Sequence, residues 1–332
     1  MKALSPPVRI AIAGLGDVSL DHKRALDHCA AANLVGAWTR NGKKRSTLTG
    51  EWNVKAYPTF EDIIADDGID VVDITAADEV HFDFAMRAMG AGKHVILEKP
   101  PADNSKQVTE LKETSEKTGL FCIPMHNYAY RPRMLQTKSL IDEGRIGRIT
   151  FGFFSEVMHQ SEEWAPRYHG VLITAMYHLI YASLFFLGRP DGVFAQQESL
   201  HYQTCKDDDL TTLHLHYPSG TMAVLLGNWA GDDITHSSWF SLYKLLATEG
   251  SVSVSGHDSL VYKRSGWGSY EYPDYEDSFI HAIDFMVNRC FVEGKEPISG
   301  LQDAIDTQII TELAQRSSRE GRLIPTRFDL KV

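Results

Sequence analysis

Lys99 and His178 are the side chains of this sequence whose type and setting can do chemistry. Lys99 stands in Glu98-Lys99-Pro100, directly after the apolar run His94–Leu97 and before Pro100-Pro101. Proline fixes its own φ and restricts its predecessor, so this lysine is carried on stiff backbone. It lies just past the C-terminal end of a predicted strand, where open α/β sheets place ligands. A positive charge there can stabilise an oxygen that becomes more negative during a reaction. His178 lies within Val171–Gly188, eighteen residues without a formal charge. On a helix Thr174, His178 and Tyr181 stand at i, i+4 and i+7, with Tyr177 at their edge. The four share an arc of about 100°, and apolar side chains fill the other sides. Such a stripe needs partners or a cleft. Imidazole is the usual proton carrier near neutral pH, although a lone histidine on an apolar helix is more often a satisfied core residue.

A second feature precedes both. Val8–Ala13 reads as a strand that runs into Gly14-Leu15-Gly16-Asp17-Val18-Ser19, and a helix follows. Gly14 permits a tight turn, and Gly16 lets backbone approach a pyrophosphate. The helix start, with Leu15, Asp17 and Val18, offers free N–H groups to its charge. Ser19 takes the third glycine position, which serves mainly helix–strand packing. About 20 residues on, NAD-selective sites place an acidic residue for the ribose hydroxyls. Here Ala37-Trp38-Thr39-Arg40 is followed by Lys43, Lys44 and Arg45. Thr39 can hydrogen-bond a 2′-phosphate and Arg40 can clamp one, so NADP is favoured over NAD. The competing reading has Lys43–Arg45 solvating a helix start, with Arg40 alone near the adenine.

These residues need a scaffold, and the pattern supplies one. Predicted strands Leu34–Thr39, Val71–Thr75, His94–Leu97 and Leu120–Pro124 alternate with helices Leu20–Ala31, Glu79–Gly90 and Ser105–Thr118. That alternation predicts a doubly wound parallel sheet of Rossmann type. After residue 124 the rhythm changes. A helix at 134–143, a strand at 148–157 and the charge-free helix lead to strands at 192–200, 210–217, 221–229, 239–248 and 251–254. Helices at 276–292 and 301–318 close the chain. The expectation is α/β throughout: a dinucleotide-binding domain at 1–124, then a domain at 125–332 with an open, mostly antiparallel sheet that serves substrate binding and oligomerisation.

Composition narrows the function. Thirty-three Lys and Arg against 44 Asp and Glu leave a net charge of −11, which argues against nucleic acid as a partner. Polar groups within 171–188 argue against a membrane span, and no signal-peptide core precedes the first strand. The expected location is the cytoplasm. Cys29, Cys122, Cys205 and Cys290 are scattered and read as free buried thiols. No metal site is expected, since His214 and His216 share a strand face without a third ligand at suitable spacing.

Residues 71–100 carry a further pattern. Thr75 and His81, then Ala91-Gly92-Lys93-His94-Val95 and Glu98-Lys99-Pro100, resemble the signature of the glucose-fructose oxidoreductase / inositol dehydrogenase / rhizopine catabolism (Gfo/Idh/MocA) family. His22, six residues after Gly16, fits as well. So do Asn127-Tyr128, Leu140–Gly147, Ala247–Ser251, Glu293–Pro297 and Ser318–Arg322, so the resemblance covers nearly the whole chain. It implies an NAD(P)-dependent oxidoreductase acting on a sugar, sugar derivative or polyol, with the nicotinamide lying between the two domains. Lys99 then polarises the substrate oxygen. Thr75, Ala76, His81, Glu98 and Asn127 join the glycine turn, Thr39, Arg40 and Lys99 in holding the cofactor.

The family's second signature is G-G-x-x-x-D-x-x-x-H. Gly170 and His178 match its last glycine and its histidine, and Thr174 occupies the aspartate position. His178 is thereby implied as the general acid/base. Lys99, Tyr128, Arg167, Thr174, Tyr177 and His178 are the implied substrate contacts. A threonine offers only one hydroxyl where a carboxylate is usual. The open sheet is implied to pair with another copy as a homodimer or homotetramer, with Trp229, Trp239 and Phe240 nearby. Two other activities use the same fold: a glycosidase that oxidises its sugar transiently with NAD, and a non-enzymatic dinucleotide-sensing regulator.

Overall fold

The computed structural model describes residues 3–158, 162–163, 165, 168–203, 207–231, 239–255, 260–263, 267–270 and 275–328. The chain forms two compact units. One comprises Met1–Arg131 and Glu276–Ile305, the other Pro132–Tyr275 and Asp306–Val332.

In the first unit β1 (Val8–Ala13), α1 (Val18–His28), β2 (Ala32–Trp38), α2 (Gly42–Glu51), β3 (Lys55–Ala56), α3 (Phe60–Ala65) and β4 (Val71–Ile74) follow one another. Then come α4 (His81–Gly90), β5 (His94–Leu97), α5 (Ser105–Thr118) and β6 (Cys122–Pro124). The sheet order is β3-β2-β1-β4-β5-β6, and every pairing is parallel. This is the doubly wound sheet expected. β4 and β5 are buried at every position, as strands covered on both faces should be. Local chemistry sets the helix ends. Asn104 accepts the N–H of Gln107 at the start of α5, and Gly119, at φ 69°, ends it in the left-handed region. The short elements β3 and α3 escape the hydrophobic pattern, although Thr59 and Asp62 form a capping box at α3.

The second unit holds α6 (Pro132–Asp142), β7 (Ile149–Met158), α7 (Gly170–Thr174), α8 (Met176–Leu187), β8 (Gly192–Glu198), β9 (Leu210–His216) and β10 (Met222–Asn228). They are followed by β11 (Trp239–Ala247), β12 (Ser251–Ser255), β13 (Leu260–Lys263) and β14 (Trp267–Tyr270). Next along the chain is α9 (Tyr275–Phe285), which continues as a wider-turned stretch, Met286–Val292; α10 (Leu301–Glu320) and β15 (Ile324–Pro325) end it. The nine-stranded order is β14-β13-β12-β11-β7-β10-β9-β8-β15. Among the described strands only the β7–β10 pair is parallel, so the expected open, mostly antiparallel sheet is present. α7 and α8 lie over β7 and β10. Gly227 has no Cβ because Met176 occupies that space, and Leu187 sits beside Gly152. Phe154 of β7 meets Phe186 and Tyr243 on this covered face.

The chain does not divide at residue 124 into two continuous pieces. Residues 276–305 return to the first unit because their apolar side chains pack there. Phe291 meets Phe121 edge-on at 5.9 Å and lies 5.5 Å from the His94 ring. Phe279 lies 5.3 Å from the His22 ring, and the Phe291 carbonyl accepts the Leu4 N–H.

The charge-free segment, expected as one helix, is broken at Ala175 into five- and twelve-residue pieces. Asp208 explains the first start. Its carbonyl accepts the Val171 N–H at 2.9 Å, and its carboxylate accepts that of Leu172 at 3.0 Å. Gly170 admits this cap: its φ is +84°, and a Cβ would stand 2.1 Å from the Asp208 carboxylate. Among the described residues no helix is long and apolar enough to cross a membrane. Cys29, Cys122 and Cys290 are buried and free; Cys205 lies outside the described residues.

Candidate active site

The order of the first sheet places its topological switch between β1 and β4, where ligands bind beyond the carboxyl ends of strands. The glycine turn stands at that point. Gly14 has φ +111°, and a Cβ on it would lie 2.3 Å from the Ala76 nitrogen, so only glycine fits. Its N–H donates to the Trp38 carbonyl at 2.8 Å, and its carbonyl accepts the Thr75 hydroxyl at 2.8 Å. Thr75 and Ala76 are thus the wall against which the turn closes. Ser19, at the third glycine position, is buried and donates its hydroxyl to the Gly16 carbonyl at 2.6 Å. Leu15 is buried, while Gly16 and Asp17 are exposed at the start of α1. The bare glycine edge and the helix N-terminus fit a dinucleotide pyrophosphate.

Thr39 and Arg40 follow β2 beside this turn. Arg40, Lys43 and Lys44 are exposed. Arg45 is not available to a phosphate in the same way, since its guanidinium donates to the carbonyls of Thr39 and Pro58. Asn41 caps α2 by accepting the Lys44 N–H, so the basic residues do begin a helix.

Glu98 and His81, both expected at the dinucleotide, are turned inward. Glu98 Oε1 lies 2.9 Å from His22 Nε2, and its Oε2 accepts the Lys99 N–H at 3.0 Å. Both His81 nitrogens face backbone carbonyls, those of Pro100 at 2.7 Å and Ala76 at 3.0 Å. His81 therefore ties the wall of the glycine turn to the loop after Lys99. His22 Nδ1 in turn lies 2.9 and 3.0 Å from the two Asp73 oxygens. His22 and Asp73 are wholly buried. Burial alone would lower the His22 pKa, but the Asp73 charge and hydrogen bonds to Asp73 and Glu98 outweigh it and raise it to about 10. The resulting stability is fully present below about pH 6.5, the ordinary histidine value, and is lost as pH rises through about 10.

Asn127 and Tyr128 lie in the turn after β6 and are both buried. The Asn127 amide donates to the Ser278 hydroxyl at 2.8 Å, and the Arg131 guanidinium covers the Tyr128 ring at 3.8 Å. His126 faces the Ser299 hydroxyl at 2.7 Å. Burial, with Lys99 adding to it, pushes its pKa down to about 3, so it is neutral near pH 7. Ser278 and Ser299 come from the returning segment, and no local pattern marks them.

In the second unit His178 and Tyr181 meet on α8, with Nδ1 2.8 Å from the tyrosine oxygen. Tyr177 is fully buried, its ring edge-on to Tyr181, and burial pushes its phenol pKa up. Thr174 ends α7 and is half-buried. Arg167 lies outside the described residues. Trp229, expected near an outward sheet face, is instead buried with Ala165, Val171, Ala175 and Tyr202.

Two family models match the chain. An oxidoreductase family with an NAD-binding Rossmann fold covers residues 8–126, and the Gfo/Idh/MocA C-terminal domain covers 134–252. The chain is 25% identical over 234 residues to an inositol 2-dehydrogenase/D-chiro-inositol 3-dehydrogenase of Lactiplantibacillus plantarum, a match covering 64% of this chain and 62% of that one. It is 28% identical over 172 residues to the trans-1,2-dihydrobenzene-1,2-diol dehydrogenase of Bos taurus, half of each chain. The fold is shared with an Agrobacterium radiobacter oxidoreductase solved with NAD+, L-tartaric acid and magnesium, at TM-score 0.88 and 18% identity, covering 96% of this chain and 98% of that one. It is shared too with a levoglucosan dehydrogenase solved with NADH, at TM-score 0.87 and 16% identity over 96% and 99%. With both its N-terminal and its C-terminal domain matched, this chain belongs to the Gfo/Idh/MocA oxidoreductase family.

Proposed function

We propose that this protein is an NAD(P)-dependent dehydrogenase that interconverts a CH–OH group and a carbonyl on a sugar, sugar derivative or polyol. One observation carries the reading. The glycine turn ends β1, Lys99 follows β5, and β4 lies between them in the sheet. A dinucleotide cradle and a fixed cation thus share one sheet edge. Gly14, Gly16 and the start of α1 hold the pyrophosphate, and Thr75 and Ala76 shape the turn. The bound nicotinamide supplies hydride acceptance or donation. Lys99 stabilises the substrate oxygen as it gains charge. His178, oriented by Tyr181, carries the hydroxyl proton. Without the usual carboxylate, Thr174 can orient a substrate only through one hydroxyl.

The cofactor reading is NADP. No carboxylate stands at the end of β2 to repel a 2′-phosphate, and Arg40 is exposed beside Thr39. Titration of the purified protein should give tighter binding for NADPH than for NADH. Arg40→Ala should weaken NADPH about tenfold, the worth of one charge-assisted contact, and leave NADH unchanged. Equal affinities would refute this preference. Incubation of a panel of sugars and polyols with both cofactors then tests the activity. Dinucleotide binding without turnover of any of them would favour the regulator instead.

The outer face of the second sheet supports a partner copy. Met222, Phe151 and Leu246 stand in register across β10, β7 and β11, with Met222 50% and Leu246 38% exposed. Val224, Leu226, Phe153 and Leu242 share this half-buried face. This apolar surface, interrupted by the exposed Lys244 opposite Phe153, is of the kind that supports an interface. The protein should sediment as a dimer or tetramer, and Met222→Glu with Leu246→Glu should shift it to monomer. A wild-type protein that stays monomeric at micromolar concentration would exclude this interface.

A further inference from the structure

We propose that His22 is a positioning residue for Lys99, holding it through a buried Asp73–His22–Glu98 chain that runs from β4 through α1 to the end of β5. The proposal rests on the reading of Lys99 as the oxygen-polarising group.

The geometry is continuous. Asp73 accepts at His22 Nδ1 and Glu98 at His22 Nε2. The second Glu98 oxygen accepts the Lys99 N–H. With a carboxylate on each ring nitrogen, only the doubly protonated ring donates on both sides. A neutral ring would set a lone pair against one carboxylate. The surroundings favour the charged form. Asp21, on the same helix, adds a third carboxylate near His22 and Glu98, with Arg24 close to it. From α9 the Phe279 ring packs against His22, and Asp277 pairs with Arg24 at 3.5 Å. From the end of β5 come Glu98 itself and the Lys99 charge, which acts on Glu98.

Two consequences follow for Lys99. Its backbone is fixed by a carboxylate that cannot rotate away without breaking the His22 bond. Its ammonium is also faced by a chain of two carboxylates and one imidazolium, a net of one negative charge. His22 lies on the first turns of α1, so the helix that opens at the glycine turn also braces the lysine. That fixes the cation relative to the dinucleotide cradle, where a small displacement costs catalysis rather than binding.

The test uses the full-length protein with its preferred dinucleotide and best substrate. Nitrogen NMR of the histidine rings, assigned by comparison with His22→Gln, should show both His22 nitrogens protonated at pH 7.5, with loss of a proton only as pH nears 10. His22→Gln should lower kcat about 10- to 100-fold while dinucleotide affinity is unchanged. Glu98→Gln keeps the side chain's size and one of its two accepted hydrogen bonds, since the amide oxygen accepts and the NH2 does not, and it guards against a His22 variant that does not fold. Its kcat/KM should fall at lower pH on the basic side than wild type, because the lysine loses a carboxylate charge that interacts with its own. A neutral His22 ring at pH 7.5, wild-type kcat in His22→Gln, or a Glu98→Gln pH profile that superimposes on wild type would each overturn the proposal. Failure of the Lys99 reading is separate: turnover surviving in Lys99→Met removes the catalytic lysine and the positioning role with it, whereas an inactive Lys99→Met beside a fully active His22→Gln removes the positioning role alone.

Discussion

Replacing Lys99 by methionine should lower kcat about 10²- to 10³-fold, the cost of removing one preorganised charge donor at a developing oxyanion. Methionine keeps much of the side chain's length and apolar stem, so the loss isolates the charge. Dinucleotide affinity should fall far less than kcat, because the glycine turn and the start of α1 are built without the lysine side chain. Stability should also hold. Lys99 is only partly buried, and the contact that fixes its backbone runs from its N–H to Glu98, which methionine at this position can make. Arginine should not restore activity, since a planar guanidinium places its charge differently from an ammonium. Steady-state kinetics with dinucleotide titration checks each part. A variant retaining a tenth or more of wild-type kcat would rule Lys99 out as the polarising group.

The second large effect should come from His178. His178→Asn should reduce kcat about 10²- to 10⁴-fold, the range for loss of a positioned acid/base. The Tyr181 hydroxyl, 2.8 Å from Nδ1, makes a hydrogen bond that fixes the ring's orientation. Tyr181→Phe should therefore cost only a few-fold to about tenfold, in line with one neutral hydrogen bond. The ratio of the two effects is the informative quantity. If both variants lose activity equally, the tyrosine is the proton carrier and the histidine its support. A His178→Asn variant with near-wild-type kcat would leave the histidine a core residue.

Much of the fold was legible from the chain because its causes are local. His94–Leu97 and Ser105–Thr118 have the bounds their patterns indicate. A buried parallel strand is a short apolar run, and α5 carries its own cap and its own stop. Gly14 was legible for the same reason, since a positive φ next to backbone leaves a single residue type. The charge-free segment was misread as one helix. Periodicity shows which side is apolar, but the start of its first piece is set by Asp208, 36 residues beyond Leu172, which caps the first turn.

The candidate site divides along the same line. Motif spacing pointed to Glu98 and His81 as part of the dinucleotide site and could not say which way they face. The structure turns both inward, one to His22 and the Lys99 N–H, the other to two carbonyls. Trp229 likewise looked suited to an outer sheet face and is instead core, because strand alternation assigns a face only once register and neighbours are known.

By itself the sequence determined the Rossmann strand–helix order, the glycine turn, the stiff lysine after β5 and the absence of an acidic residue at the end of β2. Each follows from backbone sterics, periodicity or charge within a few neighbouring residues. Only the tertiary structure decided what supports them. Asp73 reaches His22 across 51 residues and Glu98 reaches it across 76, while Ser278 and Ser299 return over 150 or more to brace Asn127 and His126. Hydrogen bonds between residues so far apart depend on how the sheet orders its strands, and no local pattern encodes that order.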